Sequence, residues 1–236
     1  DASSMGGGVA VYGTFNMYSG KISNNKVGYF GGGVYDAKTF NMYDGEISNN
    51  SVKDAANDFN GGGGVLVRDN CTFHMSGESI TDNTACRSGS YGQGGGVRCY
   101  KNAKVEFSGS PVIKDNKLTN SVVNNLYVDT GSDTGSSNVM ITGALTTGAE
   151  IRMVKNGENV AAVASGVDAS NANQYIICDD DTGYEASYDA DSHMIKWTVP
   201  THTHVWTNWV SNSDGTHTRT CQDNPDHIQT EKCSGG

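Results

Sequence analysis

Proline is almost missing from this chain, with three in 236 residues. Long apolar runs are missing altogether. Nothing approaches the ~20 consecutive apolar residues that a helical bilayer span requires, so no membrane insertion is expected of this segment. Helix-period patterning is absent as well, which removes bundles and α/β folds from consideration. Basic residues are scarce: 16 Lys+Arg face 26 Asp+Glu, for a net charge of −10. That balance argues against nucleic acid and anionic membrane surfaces as partners, and suits solubility and cation binding. Hydrophobic residues make up only 36%, too few for an ordinary compact globule of this length. A solenoid tolerates such a composition, because each turn buries only a thin stripe against its neighbours. The six cysteines are too widely spaced for a dense disulfide scaffold. No secretory leader opens the chain. Asp1 reads as the end of a repeat, so a longer mature protein is expected around this segment.

What is present is repetition. Gly6-Gly7-Gly8-Val9 recurs as Gly31-Gly32-Gly33-Val34, Gly62-Gly63-Gly64-Val65 and Gly94-Gly95-Gly96-Val97. An aromatic stretch follows each: Thr14-Phe15-Asn16-Met17, Thr39-Phe40-Asn41-Met42, Thr72-Phe73-His74-Met75 and the degenerate Val105-Glu106-Phe107. Each copy closes on Ile22-Ser23-Asn24-Asn25, Ile47-Ser48-Asn49-Asn50, Ile80-Thr81-Asp82-Asn83 or Ile113-Lys114-Asp115-Asn116. Apolar and polar residues alternate within the segments, as in strands with one buried face. Three strands per turn, repeated in register, predict coils stacked about 4.8 Å apart. Strands are expected near Gly8–Tyr12, Val34–Asp36, Val65–Arg68 and Val97–Tyr100, as one parallel sheet. The Gly triplet marks a corner with little room for Cβ atoms. Asn25, Asn50, Asn83 and Asn116 fall one above another and are expected to form an inward amide ladder. Cys99 replaces Val11 and Val67 and reads as a buried apolar filler.

These motifs resemble the Gly-Gly-Gly-Val…Thr-Phe-x-Met…Gly-x-Ile-Ser-x-Asn repeats of large surface proteins from Gram-positive gut bacteria, over roughly residues 6–128. The resemblance implies a pectate-lyase-like right-handed parallel β-helix over 1–149, secretion, a cell-surface or cell-wall location, and a stalk or adhesive role. A fifth coil is expected near Asn125-Leu126-Tyr127-Val128, where the triplet is lost. Residues 150–199 look like a closing β segment over the open end of a solenoid. Residues 200–236 differ in character and form a His/Cys/Trp-rich tail.

All length variation falls between the Asn element and the next triplet, in 26–30, 51–60 and 84–93. Those insertions carry Tyr29, Phe30, Phe59 and Tyr91, with Asp54, Asp58 and Arg87. Stacked aromatics beside polar groups are what a host or dietary glycan would meet, a surface protein being the other partner considered. Alternatively, each ring folds back over its own coil. Catalysis of the polysaccharide-lyase or glycoside-hydrolase kind needs placed carboxylates. Asp82 and Asp115 are the candidates, with Arg68 and Arg98 nearby, yet they match Asn24 and Asn49 of the earlier repeats and read as repeat variants. Asp179-Asp180-Asp181 lacks EF-hand spacing and reads as a solvated turn.

In the tail, Val205–Val210 and Thr216–Cys221 read as a hairpin. If Val210 pairs with Gly215, His204 stands opposite Cys221 with His217 on the same face. The expectation is zinc held by His204, His217, Cys221 and Cys233, with His202 as substitute. A Cys221–Cys233 disulfide is the competing reading.

Overall fold

The computed structural model describes residues 5–53, 61–86, 93–129, 138–157, 159–179, 183–199, 205–222 and 228–232. The chain divides into two compact units, Asp1–Thr198 and Val199–Gly236. Both are built of strands, and the single α-helix among the described residues is the four-residue Ala172–Tyr175.

In the larger unit the repeats stack as solenoid-like coils. Val9–Val11, Val34–Asp36, Val65–Val67, Val97–Cys99 and Leu126–Val128 pair in parallel, one above the next. The Thr-Phe-x-Met strands Thr14–Met17, Thr39–Met42 and Thr72–Met75 form a second column, continued by Lys104–Gly109 and Val139–Leu145. The isoleucine strands make a third, from Lys21–Ser23 up to Ile176–Cys178. Three strands per coil were expected, and the structure adds a fourth column. Lys26–Val27, Ser51–Val52, Thr84–Ala85 and Lys117–Leu118 are two-residue strands that each turn one apolar side chain inward. They are the opening residues of the segments read as insertions, too short for period-2 patterning to register.

Equal register puts like on like in the core. Phe15, Phe40 and Phe73 stack at 5.3 and 5.0 Å between ring centroids. Ile47, Ile80 and Ile113 follow in the next column, fully buried. Parallel stacking does not stop at residue 149, since Glu150–Met153, Asn159–Val163 and Ile176–Cys178 all join it. Antiparallel pairing begins at Glu185–Asp189, which with Met194–Thr198 forms a hairpin along the last parallel strands.

The amide ladder runs inside one corner. Asn24, Asn49, Asp82 and Asp115 take φ of 60, 57, 57 and 58°, a left-handed conformation that Asn and Asp tolerate. The residue after each is the ladder asparagine. Asn25 donates its backbone N–H and its Nδ2 to Asn50 Oδ1 at 3.0 and 2.9 Å. Asn50 does the same to Asn83, and Asn83 to Asn116. The second Nδ2 hydrogen of Asn50, Asn83 and Asn116 goes to the carbonyl of Ile22, Ile47 or Ile80 in the preceding coil.

The glycine triplet serves this ladder. Its first residue needs positive φ, 60° at Gly31. A Cβ on its second, Gly32, would fall onto the Gly63 carbonyl of the next coil. A Cβ on its third, Gly33, would fall 2.8 Å from the Gly64 carbonyl oxygen of the next coil and 3.0 Å from the Nδ2 of Asn50 in the same coil. The loss of the triplet in the fifth coil follows. Asn125 takes the place of the third glycine, as the shared pairing with Gly96 shows. Its own side chain fills the ladder position, accepting from Asn116 N–H and Nδ2 at 2.8 and 3.0 Å.

Above Asn125 the ladder ends on a carboxylate. Asp179 accepts from Asn125 N–H and Nδ2, both at 2.7 Å, with its side chain only 3% exposed. A carboxylate is acceptor-only, so it ends a donor chain without leaving a donor of its own. Asp179 is therefore a buried terminator, not part of a solvated turn. Asp180 and Asp181 lie outside the described residues.

One inward position breaks the apolar rule. Asp36 stands between Val11 and Val67 in its column, fully buried. Its Oδ1 accepts the Lys38 N–H at 3.0 Å, while Oδ2 has no partner among the described residues. Burial pushes its carboxyl up to about 6. Cys99, two coils on, is buried with its thiol pushed up by the same desolvation, as befits an inert filler.

Two outcomes are expected. Asn50→Leu orphans the Asn25 donors and should destabilise the chain by roughly 1–3 kcal/mol per unpaired group, whereas exposed Lys53→Ala should be near neutral. Equal melting temperatures for the two variants would contradict the ladder's role. For Asp36 the native pKa lies above the unfolded one, so the native state holds the proton more tightly. Stability is then greatest below about pH 4 and falls as pH rises through about 6. Asp36→Val should raise the melting temperature at pH 7.5, by an amount reflecting roughly 2 kcal/mol, and give much less at pH 4. A pH-independent effect in denaturation curves would refute this.

Candidate functional site

The residues expected to meet a ligand divide. Phe30 is half-buried and continues a bridge ladder from Met5 through Gly61 to Gln93. Its ring lies 6.1 Å from both Tyr29 and Tyr35. It belongs to a small apolar cluster with Tyr35, Leu66 and Tyr100 on the outward side of the first column. Here the ring does fold back over its own coil. Tyr29 is half-buried beside it. Phe59 and Tyr91, like Asp54, Asp58 and Arg87, lie outside the described residues.

Exposed aromatics stand elsewhere. Tyr18 and Tyr43, 67% and 41% exposed, stack with ring centroids 5.0 Å apart and planes within 8°. They follow the two Thr-Phe-Asn-Met motifs directly, so the repeat register alone sets one over the other. That signal was in the sequence, but outside the length-variable segments. Beside them runs the outward row of the second column: Asn16, Asn41, His74 and Glu106. Asn41 Nδ2 donates to Asn16 Oδ1 at 2.8 Å. His74 Nδ1 lies 3.8 Å from Glu106 Oε2, and its ring tilts against Tyr43 at 6.2 Å. The strip therefore offers phenols, amides, an imidazole and a carboxylate on a regular lattice set by the coil spacing. Each tyrosine turns one face to the other, which leaves ring edges, phenol oxygens and the outer face of Tyr18 for a ligand.

Asp82 and Asp115, the candidate catalytic carboxylates, keep exposed side chains at the left-handed corner position that Asn24 and Asn49 fill in the earlier coils. Asp129 accepts from Arg98 Nη2 at 3.0 Å and Nε at 3.3 Å, and burial raises its pKa against the pull of that guanidinium. The Arg98 side chain is 7% exposed, with its cation 5.3 Å from the Tyr100 ring centroid. Arg68 interacts with the Tyr35 phenol, which holds the guanidinium pKa above its ordinary value.

The tail unit is a three-stranded antiparallel sheet of Val210–Ser211, Thr216–Thr220 and Ile228–Lys232. Its register differs from the Val210–Gly215 pairing weighed from the sequence. Val210 pairs with Thr218 and Ser211 with His217. Asp214 shapes the turn by accepting the Thr216 N–H at 2.9 Å. Trp206 is bridged to Cys221. His217 and Cys221 do share a face of the middle strand, four residues or ~13 Å apart at the usual strand rise. Arg219 stands between them, its guanidinium carbon 5.0 and 4.5 Å from the Trp206 and Trp209 ring centroids. Arg219 Nε donates to Gln229 Oε1 at 2.7 Å, and the Trp209 ring meets His217 edge-on at 4.4 Å. This cation–π stack gives a small unit packing that its few apolar residues could not. His202, His204, His227 and Cys233 lie outside the described residues. Among the described residues, no three His, Cys, Asp or Glu side chains group to hold an ion.

Compared with protein-family models, with curated proteins and with solved structures, the chain gives no match.

Proposed function

We propose that this chain is a non-enzymatic structural and adhesive module of a bacterial surface protein, secreted and held at the cell surface or wall. On this reading its coils wind as a right-handed β-helix of the Gly-Gly-Gly-Val repeat type. The right-handed preference of parallel crossover connections supports that hand. The observation that carries the function is the in-register stack of outward side chains over a ladder-bonded core: Asn16 and Asn41, and Tyr18 and Tyr43, recur at the coil spacing on one face. Asp36, Asp129 and Asp179 are held in core, ion pair and ladder, and Asp82 and Asp115 keep exposed side chains at the corner position that Asn24 and Asn49 fill in the earlier coils, as repeat variants. A ladder-bonded solenoid is suited to presenting such a surface.

The ligand-contact surface in this proposal is the strip of Asn16, Tyr18, Asn41, Tyr43 and His74, and the ligand class is glycan. Exposed phenyl surface takes the apolar side of a sugar ring, and the amides take its hydroxyls. Tyr29, Phe30, Phe59 and Tyr91 are proposed to a lesser role in ligand contact. For the tail, zinc on His204, His217, Cys221 and Cys233 remains a proposal beside the Cys221–Cys233 disulfide.

A glycan array run beside a polysaccharide-degradation assay tests the main reading. Retention without cleavage is expected. Tyr18→Ala with Tyr43→Ala should weaken retention at least about tenfold, with the melting temperature lowered only slightly. Release of oligosaccharide products would place the chain among carbohydrate-active enzymes instead. For the tail, elemental analysis of tag-free protein should find close to one zinc per chain. Less than about one-tenth equivalent, with a Cys221–Cys233 disulfide by mass spectrometry, would remove the metal.

A further inference from the structure

The outward face of the second column repeats along the coil stack. Phe40, Met42, Phe73 and Met75 are fully buried, so the residues between and before them point outward. Register pairing lines these up in rows. Thr14, Thr39 and Thr72 give way to Lys104 in one row. Asn16, Asn41, His74 and Glu106 make the next. Tyr18 and Tyr43 stand just past the strand ends. Along each row one position follows another at the interstrand distance of ~4.8 Å, and the two tyrosine rings keep nearly the same step, 5.0 Å. The polar row stops at Glu106, because Met140 takes the next place.

A small ligand meets one coil or two. A polymer whose own period matches the coils meets every position at once, and the separate weak contacts multiply. Among pyranose polymers an extended β-1,4-linked chain has that property. It runs straight and advances by about one ring length per residue, close to the ~4.8 Å coil step. An α-1,4-linked chain curls and leaves the row. Successive rings of the β-1,4 ribbon are turned over, so each coil must accept either ring edge. Asn amides and Tyr phenols both donate and accept, and so meet either one. Charge narrows the choice further. The chain carries a net charge of −10, Glu106 stands in the row itself, and Lys104 is the one Lys or Arg on the four strands. A polyanionic glycan would be repelled.

We propose, on the glycan-binding reading above, that the strip takes a neutral, extended β-1,4-linked polysaccharide laid along the coil stack, one sugar residue per coil from Asn16 to Glu106. The side chains of the polar row bond the ring hydroxyls, and the edges and phenol oxygens of Tyr18 and Tyr43 flank the chain.

Calorimetry on the full chain tests this with β-1,4-linked oligomers of glucose, N-acetylglucosamine, mannose and xylose, from one unit to six. An α-1,4-linked glucose series and a β-1,4-linked uronic acid series serve as contrasts. At least one neutral β-1,4 series should bind, tightening at least about tenfold from two units to four and levelling off beyond. Both contrast series should bind at least about tenfold more weakly. Asn41→Ala should bring four-unit binding down to near that of two. Met140→Asn, which adds an amide on the next coil, should carry the gain on to five units, a shift that a change in stability alone would not produce. Equal affinity for two and four units, a plateau unmoved by Met140→Asn, or preference for either contrast series would overturn the proposal and leave the adhesive reading standing. So would retention on the glycan array with none of the neutral β-1,4 series bound. No retention on the array at all would overturn both.

Discussion

Each ladder asparagine brings two amide hydrogens and a carbonyl oxygen into a space no wider than one coil. Water has no room there, and an unpaired buried polar group costs on the order of 1–3 kcal/mol. Only the coils above and below can supply partners, so every coil must repeat the same residue at the same height. From that requirement the rest follows. The preceding residue must turn left-handed, hence Asn24, Asn49, Asp82 and Asp115. The opposite wall must leave room for the amide, hence Gly33 and its equivalents. Where the repeat fails, Asn125 supplies amide and wall position together. Where the amides stop, a carboxylate takes over.

Much of the coil was legible because repetition makes one sequence into its own alignment. Four copies of a triplet, at spacings of 25, 31 and 32 residues, and four terminal asparagines, at 25, 33 and 33, specify parallel strands and a buried column. The reason for the third glycine was not legible, since it lies in contacts between residues distant in sequence, Gly33 with the Gly64 carbonyl one coil on and with Asn50, 17 positions away. Nor was Asp36. Alternation places it inward, yet a lone carboxylate in a strand reads as exposed until its neighbours Val11 and Val67 are known to stack on it. The fourth column escaped because two residues carry no period.

The candidate strip was missed for a different reason. Attention to variable length favoured the corner insertions, where Phe30 turned out to be covered by Tyr35. Tyr18 and Tyr43 directly follow the Thr-Phe-Asn-Met motif, in a part of the repeat that reads as scaffold. In a solenoid the scaffold itself presents the surface, since every outward residue recurs at the coil spacing. The tail shows the limit of local pairing arguments. Its register is set by a third strand, Ile228–Lys232, which pairs along the whole of Thr216–Thr220 and was not foreseen.

The uniform direction of the asparagine ladder has an electrostatic consequence. Every amide in the column accepts at its oxygen from the coil before and donates from its nitrogen to the amide oxygen of the coil after, so their dipoles add along the solenoid axis as peptide dipoles add along a helix. The positive end of that column lies at Asn125, against the Asp179 carboxylate, whose Oδ1 also has the Arg152 Nε 3.8 Å away. The negative end lies at Asn25. The corner thus carries a field along its length, with a fixed anion bound at one pole, and adding coils of this repeat would lengthen the dipole without changing the charge of its terminus.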